Sequence, residues 1–459
     1  MTSSVLATDR IVRGPDPPLL PRDATDAWIT EEVADILLEP RRWRLWWIAI
    51  APAAILSGLT FAAIGLVLSR GIGVLGNNTP VVWGFPIANY VWWIGIGNAG
   101  TLISALLLLT RQPWRAAINR FAEAMTLFAV SIAGLFPIIH LGRPQYFYWL
   151  APYPNTMTLW PQWRSALVWD FWAIVSYLLF SIIFWYTGLI PDLATLRDRA
   201  KSRRARRIYG AFALGWRGSA HHWRRLDTFY LTAAALAVPL VCSVHSIVGL
   251  DFAASLMPGW QETIFPPYFV VGAMYSGFAL VVILVALIRW GFGLQAMLTM
   301  KHFEAMARIL LASSLIMTLS YASEWFSGWY GGHAADRDEI AFSFTGAYSP
   351  LFLSQLFGNC LLPQALWFPA VRRSQAALIV ISLGILVGMW FERILIIWNT
   401  LSHSFLPSMD HLFTPTLVDW ALLFAPLGFF TFLFLIFLRL VPAISMHEMR
   451  RLRREELGS

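Results

Sequence analysis

The chemistry-bearing residues of this chain sit where charge is costly. His140, Asp170, His245, Asp251, Glu324, Glu392 and Arg393 all lie within, or at the ends of, long apolar segments. An ionisable group in a hydrocarbon layer costs several kcal/mol unless it is paired or faces a cavity, so each is a candidate for function. An imidazole or carboxylate within hydrogen-bond reach can accept the protons of a weak acid such as a hydroquinone phenol, and an aromatic-lined cleft open to lipid can hold the ring and an isoprenoid tail. The two electrons that leave with those protons need an acceptor that this chain does not offer. Each residue also has a plainer reading. Asp170 and Asp251 can be helix caps near an interface, Glu392 with Arg393 a structural ion pair, His245 a satisfied core histidine and Glu324 a structural carboxyl. His245 precedes Asp251 by six residues, about 120° around a helix, so the two need not line one site.

The elements that must position these groups are membrane helices. About ten apolar stretches, at 46–69, 87–109, 121–140, 166–187, 229–250, 269–290, 306–327, 350–370, 376–398 and 418–440, are each long enough to cross about 30 Å of hydrocarbon. With 58% hydrophobic and 13% charged residues, against about 25% charged in soluble domains, the chain reads as an all-α integral membrane protein. Of its 34 Lys and Arg, all but Arg70, Arg143, Arg164, Arg337 and Arg393 fall in alternate gaps between the segments. The positive-inside rule then puts both termini in the cytoplasm. That threading delivers His140, Asp170, Asp251, Glu324, Glu392 and Arg393 to the outer face.

Residues 1–45 have no short apolar core followed by a small-residue cleavage site, so they are expected to persist as a cytoplasmic tail, with 441–459 as a second, basic one. Cys242 and Cys360 each stand alone without a C-x-x-C pattern, so no iron–sulphur cluster or c-type haem of the chain's own is expected, and no metal site. One bis-His haem between His140 and His245 is geometrically possible; a transmembrane pair of haems is not. The net charge of +8 is explained by arginine in cytoplasmic loops and implies no nucleic acid.

Three stretches need separate treatment. Gly95-Ile96-Gly97-Asn98-Ala99-Gly100 matches a dinucleotide-binding fingerprint letter for letter, but in mid-helix its small residues serve close helix packing instead. The hydrophilic stretch 188–228 is densest from Arg203 to Arg207 and reads as a cytoplasmic loop against anionic lipid, with a partner-docking surface as the alternative. The stretch 141–165, with Tyr146, Tyr148, Trp149, Tyr153, Trp160 and Trp163, suits the lipid interface or the underside of another protein. Polar steps at Glu123, Tyr177, Thr126 and Ser181 allow a proton path toward the cytoplasm, although Ser and Thr commonly bond their own helix backbone.

The run His140-Leu141-Gly142-Arg143-Pro144, the aromatic loop behind it, Trp169-Asp170-Phe171-Trp172 opening the fourth segment and Val244-His245-Ser246 through Asp251-Phe252 closing the fifth resemble the NrfD-like, or polysulfide-reductase, family of membrane subunits. Within it, the chain is most similar to the quinol-binding C subunit of bacterial alternative complex III. The resemblance covers about 46–440. It implies two four-helix bundles, 87–250 and 269–398, related by a pseudo-two-fold axis and flanked by the helices 46–69 and 418–440. It further implies a haem-free quinol site, for menaquinol, near the outer face of the first bundle. There His140, Asp170 and Asp251 would bind quinol and accept its protons, with Arg143 and Arg393 assisting. Apart from the resemblance, Glu324, Glu392, His245, Glu123 and Tyr177 are candidate steps of a proton path. The implied partners are a periplasmic iron–sulphur subunit, multi-haem cytochrome c subunits and a second NrfD-like membrane subunit, in the inner membrane of a bacterium and in a respiratory or photosynthetic electron-transfer complex. Two other readings stay open: a paralogous subunit or anchor without a quinol site, and a secondary transporter, whose charges would gather at mid-depth on interrupted helices.

Overall fold

The computed structural model describes residues 18–38, 43–139, 142–155, 158–403, 408 and 410–457; His140 and Leu141 lie outside them. The described chain is helical throughout: α1 (Asp26–Leu38), α2 (Trp43–Arg70), α3 (Phe85–Leu109), α4 (Arg115–Ile139), α5 (Ala166–Arg199), α6 (Arg203–Phe212), α7 (Ala220–Ala253), α8 (Phe265–Phe292), α9 (Met300–Gly331), α10 (Ala334–Thr345), α11 (Ser349–Leu356), α12 (Gln375–Ser402), α13 (Leu417–Leu440) and α14 (Met446–Leu457). Among the described residues nine helices, α2 to α5, α7 to α9, α12 and α13, are long and apolar enough to cross a membrane.

The tenth crossing expected from the sequence, at 350–370, is interrupted. After α11 the backbone winds as a π-turn over Phe357–Leu361 and a 3-10 turn over Leu362–Trp367. Pro363 explains the break, because it has no N–H to give to the carbonyl four residues back. That carbonyl, of Asn359, accepts from the Tyr275 hydroxyl at 2.9 Å instead.

Two rings of four define the core. In the first, α3 packs on α4, α4 on α5, α5 on α7 and α7 on α3; in the second, α8, α9, the α11 rod and α12 close in the same way. α2 and α13 pair outside the rings. Small residues set the closest approaches. A Cβ on Gly100 would come 1.9 Å from the Ala122 carbonyl of α4, and one on Gly277 of α8 would come 1.8 Å from Ala99 of α3. The Gly95–Gly100 run is therefore a packing seam, both within the first ring and between the rings. The connections alternate between two faces. One carries the loops at 142–155, 158–165, 254–264 and 410–416; the other carries α1, α6 and α14.

The stretches expected as tails meet and fold at that second face. Arg453 Nε donates to the Ala24 carbonyl at 2.7 Å, Arg454 pairs with Asp26 at 2.9 Å, and the Glu456 carboxylate accepts from the Leu19 amide at 2.9 Å.

Candidate functional site

At the loop face of the first ring, three elements converge on a pair of acids. Asp170 enters from the first turns of α5, Asp251 from the last turn of α7 and Tyr90 from the second turn of α3. The Tyr90 hydroxyl donates to Asp170 Oδ2 at 2.6 Å. The two carboxyls lie close enough to share a hydrogen bond, which requires a proton between them because a carboxylate only accepts. Each keeps its Oδ1 without a donor among the described residues. No arginine or lysine among the described residues pairs with either acid. The aromatic loop runs directly alongside: Trp169 Nε1 donates to the Trp163 carbonyl at 2.5 Å, and Trp163 and Trp172 have ring centroids 6.1 Å apart. Tyr146, Tyr148, Trp149 and Trp160 remain exposed.

The second ring holds a different arrangement. Glu392 Oε1 is paired with Arg393 Nη1 at 3.0 Å, and both side chains are almost wholly buried. Glu392 Oε2 accepts from the Tyr321 hydroxyl and, at 3.3 Å, from Asn359 Nδ2. Asn359 belongs to the π-turn, so the break at Pro363 is what aims its amide inward. The Arg393 guanidinium lies 4.1 Å over the Phe269 ring and 5.5 Å from that of Tyr268, and Gly272 makes room for it, since a Cβ there would sit 2.7 Å from Nη2. Glu324 is half-buried and within electrostatic reach of Glu262, Glu339 and Glu392. In the loop region outside the spans, burial together with Asp336 and Glu262 pushes the Glu339 carboxyl up to about 7, against the opposing Ser343 hydrogen bond.

Between the two clusters His245 pairs through Nδ1 with the Asn98 amide, while its Nε2 has no partner among the described residues. It lies apart from Asp251, as their angular separation on α7 requires, and within electrostatic reach of Arg393. Below it α3 presents a polar stripe. Tyr177 donates to the Gly97 carbonyl at 3.0 Å, Thr126 Oγ1 accepts from the Thr101 amide at 2.9 Å, and Thr101 donates to Ser181 at 3.3 Å. Carbonyl and amide of one helical rung are thus each addressed by a side chain from a neighbouring helix.

The stripe ends in a buried ionic cluster at the opposite face. Ser104 and Tyr230 donate to Glu123 Oε1 at 2.5 and 2.8 Å, and Arg115 approaches the same oxygen at 4.0 Å. Arg115 binds Glu448 of α14 at 2.5 Å, and Arg120 binds Asp192 at 3.1 Å. Burial would raise the Glu448 carboxyl, but Arg115, His447 and Arg120 outweigh it and hold it below the usual range.

Of the residues singled out in the sequence, the structure joins Asp170 to Asp251, Glu392 to Arg393, and Glu123 to Tyr177 along the α3 stripe. His140 lies outside the described residues, and Arg143 is exposed on the loop. Sequence reasoning missed Tyr90, Asn359 and Glu448. The first looks like an ordinary aromatic in an apolar helix, and only Pro363, inside an apolar segment, signalled Asn359.

Fold and site together define a polytopic helical membrane protein with two fused four-helix rings and a separate buried acid cluster in each. Residues 73–402 match the family described as Polysulphide reductase, NrfD, and the chain belongs to that family. It is 26% identical over 238 residues to a protein of Halobacterium salinarum named as a dimethyl sulfoxide reductase membrane subunit, an alignment covering 52% of this chain and 50% of the relative. It is 20% identical over 409 residues to a selenate reductase subunit of Mesobacillus selenatarsenatis, covering 83% of this chain and 90% of the relative. The chain thus spans about half the length of the first relative and nearly all of the second.

Proposed function

We propose that this chain is the quinol-oxidising membrane subunit of a multi-subunit electron-transfer complex of the alternative complex III type, with Tyr90, Asp170 and Asp251 at the centre of its quinol site. The observation that carries the reading is the acid pair itself: two carboxyls in contact, without a cation among the described residues, at the face where the aromatic loop begins. A hydroquinone must lose two protons and two electrons to become the quinone. Asp170 or Asp251 in its carboxylate form takes a phenolic proton, and the shared hydrogen bond passes it between them toward the loop face. Tyr90 holds Asp170 in place. His140 and Arg143, which follow α4 in the chain, complete the site in this reading, with His140 as a second acceptor, whereas Arg393, paired with Glu392 in the second ring, stays outside it. The electrons go to an iron–sulphur cluster of a partner subunit on the outer side, and menaquinol is the expected donor. The arginine bias supports a cytoplasmic terminus-bearing face, in a bacterial inner membrane, and the α3 stripe from Tyr177 to Glu123 offers a polar route toward it.

The names of the two relatives favour a second destination for the electrons: a reductase subunit in place of multi-haem cytochromes c and a second NrfD-like subunit. The same acid pair would oxidise quinol in either assembly. The reading is tested by Asp170→Asn, which keeps volume and removes the base. Quinol oxidation by the purified complex should fall by roughly 10²-fold, the scale of a lost general base, while the complex still assembles. Turnover at the wild-type rate by an assembled variant would move the site elsewhere.

A further inference from the structure

The basic corner at the start of α7 carries a binding site that the quinol reading does not use. His221, Arg224, Arg225, Thr228 and Phe229 line one shallow concavity of about 470 Å³. Their spacing of three, four, seven and eight residues puts them on a single face of α7, and all five are exposed. Helix α6 stands next to it in sequence with Arg203, Arg204 and Arg207 exposed. None of these arginines is in an ion pair among the described residues, whereas the nearby acid Asp227 is taken by Arg451 at 3.4 Å.

The corner is a built surface, not a floppy loop. The Tyr186 hydroxyl donates to the Phe212 carbonyl at 2.7 Å and Arg197 to the Trp216 carbonyl at 3.1 Å. Trp216 meets Trp223 edge-on at 5.0 Å, and Trp223 lies 5.8 Å from the His447 ring.

Apolar side chains continue the same faces. Below the basic turns of α7, Phe229 is 41% and Leu236 58% exposed, seven residues apart on the same side; on α6, Ile208 and Phe212 are 57% and 56% exposed, one turn apart. The rise of about 1.5 Å per residue sets Phe229 roughly 14 Å along α7 from its first residue, where the apolar span begins. A cation-rich end joined to an apolar flank at that depth matches one kind of occupant.

We propose that this corner binds an anionic phospholipid, its phosphate held by His221, Arg224 and Arg225, with longer-range attraction from the exposed α6 arginines, and its acyl chains laid along Phe229 and Leu236. A zwitterionic lipid, whose own choline offsets the phosphate, binds the same groove weakly.

The test uses the full chain, with any subunits that co-purify, stripped of lipid in detergent and titrated with short-chain phosphatidylglycerol or phosphatidylcholine. Phosphatidylglycerol should bind the wild type tightly and in a salt-sensitive way. Arg224→Ala/Arg225→Ala should weaken it about 30-fold, from roughly one surface arginine's worth of attraction at each position, while Arg224→Lys/Arg225→Lys keeps most of it. The triple change Arg203→Ala/Arg204→Ala/Arg207→Ala serves as the independent variant if the first perturbs folding. Equal affinity for the two lipids, or no weakening in either alanine variant, overturns the proposal. So does competition by millimolar inorganic phosphate as effective as the lipid, which would reveal a plain anion site. Loss of a co-purifying subunit with lipid affinity unchanged also overturns it, since the corner would then be a protein-docking surface.

Discussion

The two rings solve the same problem, a carboxyl inside a membrane, in opposite ways. In the second ring Glu392 has a buried arginine beside it, a tyrosine hydroxyl and an asparagine amide; its charge is met inside the protein by a cation, although Glu392 Oε1 and Arg393 Nη1 make no hydrogen bond among the described residues. In the first ring Asp170 has Tyr90 and another acid, and one oxygen of each carboxyl lacks a donor among the described residues. A compensated pair is a poor proton acceptor, because protonating it strands the arginine. An uncompensated pair gains by taking up a proton. In the proposed reading the difference gives structural work to one cluster and proton chemistry to the other, although the two stand at the same face of a similar fold.

Breaking the second cluster should have the largest effect. Arg393→Leu leaves Glu392 buried without its cation and should destabilise the protein by about 3–5 kcal/mol, read as a large loss of thermal stability in detergent; a near-neutral result would mean that Glu392 is already protonated and that the two clusters are alike. Asp170→Asn should separate them from the other side: the roughly 10²-fold fall in turnover should come with stability equal to or above wild type, since no cation loses a partner. Next, Tyr90→Phe removes the donor to Asp170 without changing shape and should slow turnover roughly tenfold, the value of a hydrogen bond to a charged group; loss of assembly instead would show that Tyr90 holds the ring together. The smallest effect is expected at Glu339. Its carboxyl titrates at about 7 in the folded protein, above the ordinary 4.5, so its contribution is full below pH 4.5 and is lost as the pH rises through 7. Glu339→Gln should raise the melting temperature by about 2 °C at pH 8 and leave it unchanged at pH 4.5.

Much of this was legible because the membrane imposes coarse rules. Apolar length marked the crossings and arginine their alternation, and together they carried Asp170 and Asp251 to one face before any contact was known. The Gly95–Gly100 run could be read as packing for the same reason, since nothing but helix precedes it. What escaped were groups whose meaning is set by a neighbour. Tyr90 is one aromatic among many in α3 until Asp170 arrives from α5. The expected helix at 350–370 was uniform in hydropathy, and hydropathy does not register one missing N–H at Pro363. Glu448 sits in a stretch rich in arginine that reads as a solvated tail; only its return to Arg115 shows it to be part of the core.

That return has a consequence for biogenesis. Arg115 and Glu448 are 333 positions apart in the chain, so at about 5–20 residues per second roughly 20 s to a minute of translation separates them. Throughout that interval Arg115 and Asn119 stand in α4 without the acid that later binds both. Their helix can enter the bilayer, but this end of the first ring is sealed only when α14 has left the ribosome.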